Sequence, residues 1–347
     1  NMSYMMESEI NSQSEVLGNL VEKHIVNYCV LADIPVNISR IVIVGSGSSY
    51  NAGLLAKNFF QNIADIETSV EYASEIANSD FDNFSPDTTY IFVSQSGKSE
   101  DVISAFNKVK RMNAKTVAIT NNIESYLYEK ADYKFNINAQ REYAIAATKT
   151  FSATVLILWI IALKAAQNKH LAITNEIKGI YTIKNHLIEL FKNIENLNGA
   201  AKFLAKQKGF SIVGLGQNFA IAKEASLKIK ETCYINTNAY PMGEFLHGHF
   251  ALLNENKVLL AFLTSYATEN EISIYKKIIS TYKTKSIIIS DEFNDFKSKY
   301  LIKFNKSESK IINTLCMIII IQLLAFKMAR RLHHNVDKPT GLNKVVS

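Results

Sequence analysis

A run of β-branched residues ending on two closely spaced glycines occurs twice in this chain, and that repetition limits the fold more than any other feature. Ile41-Val42-Ile43-Val44 leads into Gly45-Ser46-Gly47, and Ser211-Ile212-Val213 leads into Gly214-Leu215-Gly216. An apolar run without alternation marks a strand buried on both faces, as in a parallel sheet covered by helices. A second pair supports the first. Lys285-Ser286-Ile287-Ile288-Ile289-Ser290 echoes Lys115-Thr116-Val117-Ala118-Ile119-Thr120. Both echoes fall at one offset of about 170 residues, the sign of a duplicated α/β domain. Apolar stretches over 148–166 and 311–329 answer each other as long helices. The expected organisation is a helical segment over 1–35 closed by Pro35, a first domain over 36–195, and a second over 196–347 that includes the tail. The boundary falls in the polar connector Thr174 to Lys208.

Composition narrows the class. A chain of 347 residues with 48% hydrophobic and 20% charged residues is expected to be soluble and globular. The formal charge is +6, but Lys and Arg are scattered without a basic stripe. That pattern fits a mild preference for anionic ligands and argues against nucleic acid. Cys29, Cys233 and Cys316 are far apart, so neither a disulfide framework nor a metal site is expected, and a reducing compartment is. The amino terminus shows no basic-then-apolar signal pattern. Leu315 to Phe326 is apolar, but Gln322 interrupts it and Lys327, Arg330 and Arg331 follow. It falls short of the ~20 residues a bilayer needs, so it is expected to be a buried helix in a cytoplasmic protein with no membrane partner.

The chemistry concentrates at strand ends. The apolar run Tyr90–Val93 stops at Ser94-Gln95-Ser96-Gly97-Lys98-Ser99, after which Val102, Ile103, Ala105, Phe106 and Val109 repeat at helical spacing. A helix start presents unpartnered N–H groups and the positive end of the helix dipole. With hydroxyls from Ser94, Ser96 and Ser99, such a turn would make an anion pocket suited to phosphate. Ser96 would also serve as an ordinary N-cap, and the residues leave both readings open. Ser48 and Ser49 stand at the other turn, and ligands of parallel sheets bind beyond the carboxyl ends of the strands.

The second copy differs where chemistry would be placed. Lys228 and Glu231 are neighbours on one helical face, with Glu224 a turn behind. On spacing alone they fit a solvated face with ordinary ion pairs. His247 lies in the loop Pro241-Met242-Gly243-Glu244-Phe245-Leu246-His247-Gly248, where a histidine is more often structural than catalytic. Lys344 sits in Leu342-Asn343-Lys344 of a tail expected to be mobile.

Taken together, six stretches in order resemble the SIS (sugar isomerase) superfamily, and most of all the isomerase half of glucosamine-6-phosphate synthase and the SIS-type glucosamine-6-phosphate deaminases. They are Gly47-Ser48-Ser49-Tyr50-Asn51, Ser94 to Ser99, Ala146-Ala147-Thr148-Lys149-Thr150-Phe151, Leu227-Lys228-Ile229-Lys230-Glu231, Gly243 to Gly248, and Leu342-Asn343-Lys344. The resemblance implies two tandem SIS domains of α/β class, each a flavodoxin-like parallel sheet flanked by helices. It implies that Ser94, Gln95, Ser96 and Ser99 hold a sugar phosphate, that Ser48 and Ser49 touch phosphate or sugar hydroxyls, and that the backbone near Ile145 and Asn343 of the tail motif line the sugar. Glu231 would shuttle a proton between C1 and C2, Lys228 would tune those transfers, and His247 would assist ring opening from the neighbouring subunit of a homodimer. Lys344 would form a Schiff base or close over the open chain. These residue types suit the chemistry: a carboxylate base, a cation for enolic charge, and an imidazole acid near neutral pH. No cofactor and no metal is implied. His249 stands where the family commonly has proline, Lys98 where it often has glutamate, and Ala147 where it has serine or threonine.

The chain opens on Asn1-Met2 rather than on the nucleophilic cysteine of a glutaminase domain. The expected reaction is therefore deamination with isomerisation, converting glucosamine 6-phosphate or a close hexosamine 6-phosphate to fructose 6-phosphate and ammonia. The alternative is the isomerase domain of a glutamine–fructose-6-phosphate aminotransferase. A regulator that binds phosphosugar without turnover is disfavoured by the presence of both Glu231 and His247. A nucleotide-dependent dehydrogenase is disfavoured because each glycine pair lacks the third glycine of the dinucleotide fingerprint.

Overall fold

In the computed structural model, which describes residues 4–254, 257–291 and 298–345, the chain divides by its contacts into two compact units. One comprises Ser12–Lys184 with Asn343–Ser347, the other Asn1–Asn11 with Asn185–Leu342. The tail thus groups with the first half of the chain, not with the domain that precedes it in sequence.

Helices Met5–Asn11 and Gln13–His24 fill much of the stretch expected to be helical, residues 1 to 3 of which lie outside the described ones. The helix ends at His24, well before Pro35. Asn27 and Tyr28 adopt φ of 50° and 60°, the left-handed pair that a two-residue hairpin turn requires. Strands β1 (Ile25–Val26) and β2 (Cys29–Val30) therefore pair antiparallel.

The first unit is built on five parallel strands: β3 (Arg40–Gly45), β4 (Glu67–Tyr72), β5 (Thr88–Val93), β6 (Lys115–Thr120) and β7 (Tyr133–Asn136), in the order β4-β3-β5-β6-β7. Every residue of β5 is buried, as are all but the first of β3 and β6, which is why these strands read as unbroken apolar runs. Val44, Phe92 and Ala118 form a core with Val102, Ala105 and Phe106 of the helix Glu100–Arg111. Phe92 and Phe106 meet edge to face at 5.3 Å, and burying each ring contributes roughly 1.5–3 kcal/mol.

The second unit repeats the plan with β8 (Gly209–Gly214), β9 (Asn236–Pro241), β10 (Val258–Phe262), β11 (Lys285–Asp291) and β12 (Tyr300–Phe304), in the order β9-β8-β10-β11-β12. The strand order is that of the first sheet, and both are the flavodoxin-like arrangement. The repetition extends to backbone dihedrals. Gly47, before the helix Ser48–Ala64, has φ 56° and ψ −125°, and Gly216, before the helix Gln217–Cys233, has φ 57° and ψ −127°. The left-handed φ explains why a glycine stands at both positions.

The two apolar helices run over Lys149–Asn168 and Lys310–Arg331. The second has 22 residues, so the expectation that it is too short for a bilayer does not hold. By length and composition both helices could cross a membrane, but 89% and 94% of their most apolar windows are buried inside the protein. They are core helices, and Lys149–Asn168 packs along Ser48–Ala64.

Strand order reverses between β3 and β5, and again between β8 and β10. A crevice opens beyond the carboxyl ends of the strands at each reversal. Which crevice is equipped for a ligand depends on the residues that line it.

Candidate active site

The serine turn joins β5 to the helix Glu100–Arg111 at the first of these reversals. The Ser94 N–H donates to the Ile119 carbonyl at 3.1 Å. The Gln95 carbonyl accepts from the Asn121 N–H at 3.0 Å and the Thr120 hydroxyl at 3.1 Å, and the Ser96 carbonyl accepts from Asn122 Nδ2 at 3.1 Å. The end of β6 thereby fixes the turn's carbonyls. Gly97 has φ +64°, and a Cβ there would lie 2.2 Å from Ser125 Oγ, so any side chain breaks the turn.

The helix starts one residue after Ser99, so Ser99 and not Ser96 is the N-cap. The Ser99 side chain makes no capping bond; its Oγ lies 3.4 Å from Ser94 Oγ. Ser94 Oγ accepts from the Gly97 N–H and Ser96 Oγ from the Lys98 N–H, each at 3.1 Å. The Ser96 hydroxyl proton, one of the two on Ser94 and Ser99, and the first N–H groups of the helix are placed to donate to an anion. Ser48 and Ser49 open the helix after the neighbouring strand β3 and are partly exposed. The structure thus brings Ser48, Ser49, Ser94, Gln95, Ser96 and Ser99 to one reversal point.

A residue that the sequence reading passed over, Glu142, organises the loop before Lys149–Asn168. Its side chain is fully buried. Oε2 accepts the N–H groups of Thr148 and Thr150 at 3.1 and 3.0 Å, acting as a remote cap for the helix. Oε1 accepts the Thr150 hydroxyl at 2.7 Å and Lys344 Nζ at 2.5 Å. Burial pushes this carboxyl up, but the Lys344 charge and hydrogen bond, with those from Thr150, outweigh it and hold the carboxyl below its usual range. Lys344 Nζ also donates to the carbonyls of Ala144 at 2.7 Å and Ile145 at 3.4 Å. The lysine tail is therefore docked, and Lys344 and Ile145 are brought together. Asn343 is exposed.

In the second unit, Lys228 is fully buried between two carboxylates. Its Nζ lies 2.5 Å from Glu231 Oε2 and 3.5 Å from Glu224 Oε1. Glu224 is also fully buried, while the Glu231 side chain is 23% exposed. This is not the solvated face that spacing alone suggested. The cluster pairs an enclosed ammonium with one carboxylate that reaches solvent. His247 is exposed at the end of the short helix Glu244–Leu246, and no hydrogen bond or ion pair joins its ring to this cluster among the described residues. His249 stacks on Tyr240 at 4.3 Å.

The second unit's counterpart of the serine turn is already filled. Asp291, at the end of β11 and 1% exposed, accepts the Ser265 N–H at 2.6 Å and its hydroxyl at 2.8 Å. Thr268 caps the following helix through the Glu271 N–H. Both donors of Ser265 are thus taken by a carboxylate of the protein itself. A cavity of about 390 Å³ in the first unit, lined by Arg40, Glu75, Phe81 and Tyr90, contains none of the expected site residues. It reaches the amino ends of β3 and β5, opposite to the serine turn. Among the described residues, no group of three or more His, Cys, Asp or Glu is placed to hold a metal ion.

A family model described as the SIS domain matches residues 36–164 and again 203–330. Glutamine–fructose-6-phosphate aminotransferase (isomerizing) of Campylobacter jejuni is 30% identical over 350 residues, covering 99% of this chain and 58% of that protein. The chain thus spans little more than half of that relative. The C-terminal domain of glucosamine-fructose-6-phosphate aminotransferase from Francisella tularensis matches with a TM-score of 0.86 at 26% identity, covering 98% of this chain and 99% of the other. Glucosamine-6-phosphate deaminase from Thermotoga maritima shares the fold, with a TM-score of 0.78 at 23% identity over 99% of both chains.

Proposed function

The chain belongs to the SIS-domain family, and from that premise we propose that it is a phosphosugar isomerase that converts glucosamine 6-phosphate, or a close hexosamine 6-phosphate, to fructose 6-phosphate and ammonia. The observation that carries this reading is the buried Lys228 bound to the partly open Glu231. A carboxylate held by a fixed ammonium, with one side open to solvent, suits proton transfer next to a carbonyl.

In this reading the phosphate sits on the Ser94–Ser99 turn, with Ser48 and Ser49 on its oxygens or on sugar hydroxyls. His247, supplied by the partner subunit of a homodimer, protonates the ring oxygen as the ring opens. Glu231 takes the C2 proton and returns it to C1, while Lys228 holds the carboxylate in place and stabilises the enolic charge. The resulting C2 imine adds water and releases ammonia. Lys344 closes over the open chain beside the Ile145 carbonyl, with Asn343 next to it.

A second reading has direct support. The relatives at about 30% identity are glutamine–fructose-6-phosphate aminotransferases (isomerizing), and the chain spans only part of their length. Here the same residues would serve the isomerase domain of such an enzyme, fed with ammonia from elsewhere. Incubation with a panel of hexose and hexosamine 6-phosphates, scoring ketose and ammonia together, tests both. Release of equal amounts from glucosamine 6-phosphate supports deamination. Formation of glucosamine 6-phosphate only from fructose 6-phosphate and ammonia supports the second reading, and no turnover of any member refutes both.

A further inference from the structure

Resting on that reading of the activity, we propose that Glu142 is the positioning residue for Lys344, fixing the tail ammonium above the carbonyls of Ala144 and Ile145 so that it meets the bound sugar in one place. The two carboxylate oxygens divide the labour. Among the described residues, Oε2 takes backbone N–H groups, those of Thr148 and Thr150. Oε1 takes the Thr150 hydroxyl and the lysine. Each of the three ammonium protons then has an acceptor, in Glu142 Oε1, Ala144 O and Ile145 O. A carboxylate with a fully buried side chain requires a cation, and this one receives it from a residue more than two hundred positions away. Among the described tail residues 343–345, only Lys344 has hydrogen bonds or ion pairs, so it supplies the polar anchor of the tail.

The geometry also supplies a clean variant. In Glu142→Gln the amide oxygen can keep both N–H bonds of the helix cap, while the NH₂ group replaces the oxygen that faced Lys344. Thr150 can turn its hydroxyl to accept, but the ammonium loses its anion. Trace acetylation of the full chain, read by peptide mass spectrometry against exposed Lys98 as reference, reports the state of Lys344 whether or not the enzyme turns over. In the wild type Lys344 should react less than Lys98. In Glu142→Gln its labelling should rise at least about fivefold, and kcat should fall roughly tenfold to a hundredfold, the range for losing one charge-assisted bond. KM, set by the serine turn, should stay within about threefold. Thr150→Val removes the other donor to the same oxygen and should leave Lys344 labelling unchanged.

Unchanged labelling in Glu142→Gln overturns the proposal, as does increased labelling with an unchanged kcat. Should that variant fail to fold, Lys344→Met is the substitute. It leaves the buried carboxylate unpaired, so a Tm equal to wild type overturns the proposal and a clear drop supports it. A wild type inactive on every phosphosugar refutes the reading of the activity, and the labelling contrast alone then decides the Glu142–Lys344 pair.

Discussion

Replacing Glu231 by Gln separates the chemistry of the second unit from its stability. The substitution removes the anion 2.5 Å from a fully buried Lys228 and leaves Glu224 at 3.5 Å. A hydrogen bond to a charged partner contributes about 1.5–3 kcal/mol and a neutral one about 1. The glutamine oxygen can still accept from Lys228, and Glu231 is 23% exposed, which reduces the loss through solvent screening. The net cost is about 1–2 kcal/mol. For a domain of this size that lowers Tm by about 2–8 °C. Loss of a general base costs far more in rate, about 10²- to 10⁴-fold. The expected result is a folded protein with a modest drop in Tm, phosphosugar binding within a few fold of wild type by calorimetry, and turnover down at least a hundredfold in a coupled ketose assay. Turnover within tenfold of wild type would refute the role assigned to Glu231. Binding lost along with turnover would show that the carboxylate serves affinity instead.

Lys228→Met removes the buried ammonium that lies between Glu224 and Glu231, and breaking a buried ion pair this way costs about 3–5 kcal/mol; chemical denaturation should show it to be far more damaging than Glu231→Gln. Gly97→Ala places a Cβ 2.2 Å from Ser125 Oγ at a left-handed φ, so phosphosugar affinity should collapse, and calorimetric binding at wild-type strength would contradict the geometry of the turn. Glu142 has a carboxyl held below its usual range, so its contribution is complete above the unfolded value of about 4.5 and is lost as pH falls through the lower folded value. In Glu142→Gln that acid-dependent part is missing, and Tm measured from neutral pH into acid should fall less steeply than in wild type. Asp291→Asn weakens the bonds to Ser265 and should lower Tm by several degrees without changing KM, because the proposed phosphate site lies at the Ser94–Ser99 turn instead.

Much of the architecture was legible because burial on both faces writes itself into composition. The runs Ile41–Val44 and Lys285–Ser290 cannot be solvated strands, and their recurrence at one offset implied two sheets before any topology was known. The serine turn was legible for the same reason, since small polar residues follow such a strand only where the chain must turn. The end of the amino-terminal helix was not, because Asn27-Tyr28 carries no glycine to signal its left-handed turn. Helical spacing placed Glu224, Lys228 and Glu231 together but does not reveal which side of a helix faces protein, so the enclosure of Lys228 was invisible. Glu142 was missed for a different reason. Its partner lies at the far end of the chain, and nothing local to Arg141-Glu142-Tyr143 distinguishes it from an exposed loop carboxylate.

The most direct test is a crystal of this protein soaked with glucosamine 6-phosphate or its ketose product. The account predicts phosphate density within hydrogen-bonding distance of the Ser96 and Ser99 hydroxyls, beyond the carboxyl end of β5. A phosphate bound anywhere else, with that turn left unoccupied at saturating sugar, would contradict it.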